Sequence, residues 1–143
     1  MKSAMAPIRR AVIDTNIRIS AYLWPGTPPQ AREIVRSGRC VLVSADAAIE
    51  EFVRVLGYRK FGLSPEEITP LVHDLLSLVT LVSPQHDVRV ITKDVADNLF
   101  LSIALEGGST VIVSGDHHLL DLRRYQQVRI VSAAAFVRAL QPD

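Results

Sequence analysis

The stretch RRAVIDTNIRIS, residues 9–20, leads from two arginines through a short apolar run into Asp14, Thr15 and Asn16. The run AVI is apolar without alternation, which is typical of a strand that is covered on both faces of a parallel sheet. An acid directly after such a strand often only starts a turn or caps a helix. A functional role for Asp14 therefore depends on what the rest of the chain supplies.

Three further runs have the same apolar character and predict buried strands: VLVS at 41–44, VIVSG at 111–115 and VRIVS at 128–132. A weaker run, LVTLVS at 78–83, fits either a fifth strand or the end of a helix. Strands of this kind that alternate with helical patterns predict an α/β fold. We expect a three-layer sandwich with a mostly parallel central sheet flanked by helices.

Helical patterns lie between the strands, over residues 29–37, 46–58, 64–79, 94–106 and 133–140. The third begins with Ser64-Pro65-Glu66-Glu67, which combines a cap, a proline in the first turn and a Glu three residues after the cap. The fourth is followed by Gly107-Gly108, a stop signal. Loops are expected at 24–29 and 83–87, where proline and polar residues cluster.

Length and composition fit a single globular domain over residues 1–143, with 48% hydrophobic residues. The lone Cys40 excludes an internal disulfide. The chain has no run of about 18 apolar residues and no signal-peptide pattern. We therefore expect a cytoplasmic protein with no membrane segment. A net charge of +1 neither requires nor excludes a nucleic acid partner.

Acidic residues are expected to converge at one edge of the sheet. In open parallel sheets the binding crevice lies at the carboxyl ends of the strands, and both Asp14 and Asp116 follow predicted strands. In IEEFVRVL, Glu50 and Glu51 point about 100° apart on a helix, so only one faces inward. Asp97 lies in the first turn of a helix that becomes almost entirely apolar, which fixes its direction.

A cluster of carboxylates favours a bound cation. Two carboxylates about 4 Å apart repel by about 4 kcal/mol at an effective dielectric near 20. Either their pKa values rise or a metal lies among them. Oxygen ligands without a thiolate or histidine set favour Mg²⁺ or Mn²⁺ over zinc. His117 and His118 adjoin Asp116 but lack the spaced partner of a zinc motif, so we do not expect them to bind the metal.

Four segments, in this order, resemble the acidic motifs of the PIN-domain ribonucleases. They are Asp14-Thr15-Asn16, Glu51 in IEEFVRVL, Asp97 in DVADNLFLSIALEGG and Asp116 in VIVSGDHHLL. The resemblance covers nearly the whole chain and is closest to toxin components of bacterial toxin–antitoxin modules. It implies a metal-dependent endoribonuclease that cleaves single-stranded RNA and leaves 5′-phosphate and 3′-hydroxyl ends.

The resemblance also implies roles for individual residues. Asp14, Asp97 and Asp116 would bind Mg²⁺ or Mn²⁺, and Glu51 would complete the acidic pocket. Glu51 is preferred to Glu50 because the family's acid directly precedes an apolar residue, here Phe52. Two further residues, Asn16 and Ser114, would be supporting hydrogen-bonding groups.

Basic residues are candidates for contact with the RNA backbone. Arg54, Arg59 and Lys60 follow Glu51 in the same part of the chain and could reach phosphates, or form only a solvated surface. A solvated surface is the favoured interpretation for three other arginines, Arg32, Arg36 and Arg39. Trp24, in a proline-rich loop, fits base stacking or simple packing.

Partners follow from the resemblance and from one helix. Apolar residues cover more of the helix at 64–79 than a single core-facing stripe needs, and an exposed remainder would form a contact patch. We therefore expect a homodimer. The resemblance also implies a small antitoxin protein that reaches the acidic pocket.

Two other interpretations remain open from the sequence. A phosphotransferase or receiver domain also places an acid after a parallel strand. The phosphotransferase would need an Asp where Asn16 stands, and the receiver domain would need a Lys after VRIVS, which the sequence lacks. Neither of the glycine-rich nucleotide-binding motifs, GxxxxGK(S/T) and GxGxxG, occurs in the sequence.

The second alternative is a non-catalytic PIN fold that binds RNA or protein. Metal titration distinguishes it, because a scaffold need not bind Mg²⁺ or Mn²⁺.

Overall fold

The computed structural model describes residues 9–14, 33, 35–85, 88–89 and 97–140. A six-stranded sheet lies at its centre. The strands are β1 (Arg10–Ile13), β2 (Val41–Ser44), β3 (Val79–Leu81), β4 (Val111–Val113), β5 (Arg124–Tyr125) and β6 (Val128–Val131).

Helices of the described residues flank this sheet. They are α1 (Asp46–Leu56), a 3₁₀ turn (Arg59–Phe61), α2 (Pro65–Leu78), α3 (Asn98–Gly107), α4 (His117–Leu120) and α5 (Ala133–Leu140). The predicted α/β fold with a mostly parallel sheet flanked by helices is confirmed. None of the described helices is both long and apolar enough to cross a membrane.

The strand order, β3-β2-β1-β4-β6-β5, places the first strand in the middle of the sheet. All neighbouring strands are parallel except β5 and β6, which are antiparallel. The chain moves outward from β1 through β2 to β3, and then returns to β4 on the other side of β1. In such sheets the crevice outside the carboxyl ends of the strands lies where the order reverses, here between β1 and β4.

Alternate side chains of the strands point into two separate cores, as the pleat of a strand requires. On one face, Val12, Val43 and Ile112 pack in a cluster with α3. On the other face, Ala11 and Val111 pack in a cluster that includes residues of α5. Full burial of a Val, Ile or Leu side chain contributes about 1.5–3 kcal/mol, so the two cores hold the layers together.

Helix α3 approaches the sheet closely at its carboxyl end. A Cβ atom on Gly107 would lie 2.4 Å from Cγ1 of Val43, so glycine is the residue that fits this contact. Gly108 then adopts φ +67° and ends the helix, as the two glycines predict. Arg10 Nη1 donates to the Gly107 carbonyl at 2.8 Å, which fastens this end of α3 to β1.

Helices α1 and α2 share a third apolar cluster built on Phe52, Leu56 and Leu75. The predicted capping box begins α2: Glu67 N–H donates to Ser64 Oγ at 3.2 Å, and Ser64 N–H donates to Glu67 Oε1 at 3.1 Å. Helix α2 ends at Leu78 and β3 begins at the next residue. Both interpretations of the run at 78–83 are therefore correct in part.

The remaining differences between prediction and structure concern short elements. The helix predicted at 46–58 ends at residue 56, and the 3₁₀ turn, α4 and β5 were not predicted. Residues 33, 35 and 36 are helical, as the pattern at 29–37 predicts, whereas the start of that helix lies outside the described residues. The loop predicted at 24–29, with Trp24, and residues 94–96 also lie outside them.

Candidate metal centre

Strands β1 and β4 place Asp14 and Ser114 side by side at the carboxyl edge of the sheet. Ile13 is in register with Val113, and the Asp14 N–H donates to the Val113 carbonyl at 3.0 Å. Because side chains alternate along a strand, Asp14 and Ser114 point to the same face as Val12 and Ile112, which is the face that α3 covers. The predicted convergence of strand ends therefore occurs on the α3 side.

The hydroxyl of Ser114 connects two of the acids. Its Oγ donates to Asp14 Oδ2 and accepts from the Asp116 N–H at 2.9 Å. Asp14 is buried, and Ser114 is completely inaccessible to solvent. This hydroxyl therefore fixes the orientation of the Asp14 carboxylate and the start of the loop that carries Asp116.

Asp97 reaches the same region from α3. It directly precedes the first residue of that helix and is only 6% exposed, although it is an acid. Its carboxylate, the carboxylate of Asp116 and the His118 imidazole offer ligand atoms that all lie within 4.8 Å of one another. We call these three residues the edge cluster.

Asp116 is held in place by the short helix that follows it. Its Oδ1 accepts from the His118 N–H at 2.7 Å and lies 3.4 Å from His118 Nδ1. The side chain of Asp116 is about one quarter exposed, in contrast to the buried Asp14 and Asp97. The edge cluster thus joins one buried acid, Asp97, to an acid and an imidazole that solvent reaches.

The donor set of the edge cluster fits a divalent cation. Protein oxygen and nitrogen ligands lie about 2.0–2.6 Å from such an ion, so ligand atoms up to about 4–5 Å apart can share one. Carboxylates at this spacing repel strongly in a partly buried site, and a cation removes that repulsion. Asp97, Asp116 and His118 are the residues that could hold it, with Asp14 attached through Ser114.

Glu51 lies in the second turn of α1, at the margin of the apolar stripe. It is half-buried whereas Glu50 is exposed, so Glu51 faces inward more than its neighbour. Its Oε1 lies 3.5 Å from Arg54 Nη2, and among the described residues it is not a member of the edge cluster. Its place in the acidic pocket stays a prediction. The predicted supporting residue Asn16 lies outside the described residues.

The predicted RNA-binding residues lie on the surface around the end of α1. Arg54 is exposed and hydrogen-bonds to the Tyr58 hydroxyl at 3.4 Å as well as to Glu51. Arg59 and Lys60 lie in the exposed 3₁₀ turn, where Lys60 Nζ is 5.2 Å from the centroid of the Phe61 ring. These cations are accessible to a polyanion, and their role in binding stays a prediction.

His118 is not among the site residues predicted from the sequence, because no second ligand stands at the interval of a zinc motif from it. The structure instead brings it beside Asp97 from a different element. The signal available in the sequence was its position two residues after Asp116, in the first turn of a short helix.

A family model described as PIN domain matches residues 10–118, from β1 into α4, and so includes all four predicted acids. No curated protein matches the chain significantly. Because the family match covers well over half of the chain, this protein belongs to the PIN domain family.

Proposed function

We propose that this protein is a metal-dependent endoribonuclease that hydrolyses phosphodiester bonds of single-stranded RNA. The observation that carries the proposal is the edge cluster, which is joined to Asp14 through Ser114 at the switch point of the sheet. Membership of the PIN domain family supports a nuclease over the phosphotransferase or receiver alternative.

Mg²⁺ or Mn²⁺ is the proposed cofactor, with Asp14, Asp97 and Asp116 as its acidic ligands. When bound, such an ion supplies a nucleophilic water near neutral pH and stabilises negative charge on the leaving oxygen. The protein's own part is to hold the carboxylates in place. Ser114 does this for Asp14 by hydrogen bonding, and the apolar contacts of α3 do it for Asp97.

A thiol nucleophile is disfavoured by the surroundings of the single cysteine. Cys40 is fully buried in the core on the α5 face, opposite the edge cluster. Burial raises the pKa of the Cys40 thiol to about 11, so it stays protonated near neutral pH. The proposed hydrolysis therefore proceeds by attack of water and not of the thiol. Glu51 is proposed to complete the acidic pocket.

The substrate is proposed to be RNA held by phosphate contacts to Arg54, Arg59 and Lys60. All three are exposed, and such contacts give an affinity that falls as salt concentration rises. Each contact that is removed should reduce the salt dependence of binding. The Arg54 guanidinium also contacts Glu51, so a phosphate bound to Arg54 would lie close to that proposed catalytic acid.

We further propose that the protein is the toxin of a toxin–antitoxin pair, acts in the cytoplasm as a homodimer, and is inhibited by a small antitoxin. Support for self-association comes from apolar side chains left exposed on α1 and α2, Val53 at 39% and Leu76 at 43%. Light scattering at micromolar concentration tests the dimer. Co-expression with an adjacent small protein tests the antitoxin, which should co-purify and reduce RNA cleavage.

The test of the enzymatic proposal is cleavage of labelled single-stranded RNA with Mn²⁺ or Mg²⁺. The wild type should cut the RNA, and EDTA, Asp14→Asn or Asp97→Asn should abolish cutting. Asp74→Asn is the matched control, because this acid lies on α2 in a surface pair with Arg36 and should not affect activity. Cleavage that persists in EDTA would exclude a metal-dependent mechanism. RNA binding without metal binding or cleavage would instead indicate the non-catalytic alternative.

A further inference from the structure

The metal ligands proposed above are all acids, yet the edge cluster also contains a nitrogen donor, the imidazole of His118. We infer that the His118 imidazole is a ligand of the bound ion, which makes the centre a mixed carboxylate–imidazole site with a preference for Mn²⁺ over Mg²⁺. This inference rests on the proposed function and refines its choice of metal. It concerns a residue outside the four acids that the sequence predicts for the site.

The backbone holds His118 in position for this role. Asp116 ends the loop after β4, and its Oδ1 accepts the His118 N–H at 2.7 Å. The first turn of α4 is thereby closed, and His118 Nδ1 lies 3.4 Å from the same carboxylate oxygen. Ligand atoms of Asp97 and Asp116 lie within 4.8 Å of the imidazole, so a small adjustment of the side chains would suffice for shared coordination.

The neighbouring histidine provides an internal comparison. His117 is also exposed and lies in the same turn of α4, but among the described residues it is not a member of the edge cluster. The two side chains share local sequence and solvent exposure. They differ in that only His118 is grouped with Asp97 and Asp116, so a metal effect that is specific to His118 cannot arise from the general charge of the turn.

The preference for Mn²⁺ follows from donor chemistry. Mg²⁺ prefers oxygen ligands in a strict octahedral arrangement, whereas imidazole nitrogen suits transition-metal ions. Replacing one oxygen donor with imidazole therefore favours Mn²⁺ relative to Mg²⁺. A histidine that only hydrogen-bonds to Asp116 would orient that carboxylate and would affect both ions equally.

The experiment compares wild type with His118→Gln and His117→Gln by calorimetric titration with each ion, with circular dichroism as a check of folding. Loss of a ligand should cost at least as much as loss of a group that orients one, so His118→Gln should weaken Mn²⁺ binding by about tenfold or more. The same change should weaken Mg²⁺ binding by about threefold or less, because Mg²⁺ relies on oxygen ligands. His117→Gln should match the wild type for both ions.

A spectroscopic measurement identifies the ligand directly. Pulsed electron paramagnetic resonance of bound Mn²⁺ should show modulation from a coordinated imidazole nitrogen in wild type and His117→Gln, and none in His118→Gln. Mn²⁺ bound to wild type without nitrogen modulation would overturn the inference and leave the proposed nuclease intact, as would equal weakening of both ions. Failure of the wild type to bind Mn²⁺ or Mg²⁺ at all would overturn the inference and the metal-dependent function together.

Discussion

Replacement of Ser114 with alanine tests how the acidic edge is held together. The Ser114 hydroxyl donates to the buried Asp14 carboxylate and accepts from the Asp116 N–H at 2.9 Å. A hydrogen bond to a charged group contributes about 1.5–3 kcal/mol, and a neutral one about 0.5–1.5 kcal/mol. Since alanine removes both, Ser114→Ala should lower the free energy of unfolding by about 2–4 kcal/mol.

A second buried serine near the other end of β4 is the matched control. Ser109 is 2% exposed, and its Oγ has no hydrogen-bond partner among the described residues. Ser109→Ala therefore removes an unsatisfied polar atom and should change the free energy of unfolding by less than about 1 kcal/mol, in the stabilising direction.

The assay is urea denaturation of both variants and the wild type at pH 7 in EDTA, with the slope m compared to confirm that the same transition is measured. The predicted result is a large loss for Ser114→Ala and none for Ser109→Ala. Equal losses would show that either site responds only to a change in packing. An unchanged midpoint for Ser114→Ala would refute the hydrogen-bonded link between Asp14 and Asp116.

Three further predictions concern other parts of the molecule. Gly107→Ala should destabilise the fold by about 1–3 kcal/mol, because its Cβ would lie 2.4 Å from Val43 Cγ1. Gly57→Ala should be tolerated in the same denaturation assay, because Gly57 has a helical φ of −79° and its Cβ would make only ordinary contacts, the nearest 3.4 Å from the Arg54 carbonyl oxygen. Burial raises the pKa of the Cys40 thiol to about 11, so between about pH 9 and 11 the unfolded chain loses a proton that the folded protein retains. The free energy of unfolding should therefore fall over this pH range. Cys40→Ala should remove this part of the pH dependence, measured by denaturation at alkaline pH. Asp97→Asn should raise the melting temperature of the metal-free protein, because it relieves repulsion between the carboxylates. It should also abolish the rise in melting temperature that millimolar Mn²⁺ causes in the wild type. Equal rises in both proteins would place the metal elsewhere.

The regular part of the fold was predictable because its signals are local. Unbroken Val and Ile runs identify strands that are covered on both faces, and all four such runs are strands. Strand β5 gave no such signal. It has only two residues, Arg124 and Tyr125, and pairs with β6 across a two-residue turn in which Gln126 has a positive φ. A strand of two residues is too short to show a hydrophobic period in the sequence.

The candidate site was predictable to a similar degree. The topology rule correctly placed Asp14 and Asp116 at neighbouring strand ends, since it needs only the order of elements. The proximity of His118 to Asp97 depends on how α3 crosses the sheet, and a close approach at Gly107 helps to set that crossing. Spacing along the chain contains no information about it.

We propose that RNA is cut at this acidic edge by attack of water, with the carboxylates holding the metal ion. The most direct test is the end chemistry of purified cleavage products made with Mn²⁺, with Asp97→Asn analysed in parallel. Attack by water on the phosphorus should leave 5′-phosphate and 3′-hydroxyl ends, and Asp97→Asn should give no product. Products with 2′,3′-cyclic phosphate and 5′-hydroxyl ends would show attack by the neighbouring 2′-hydroxyl and would contradict the claim.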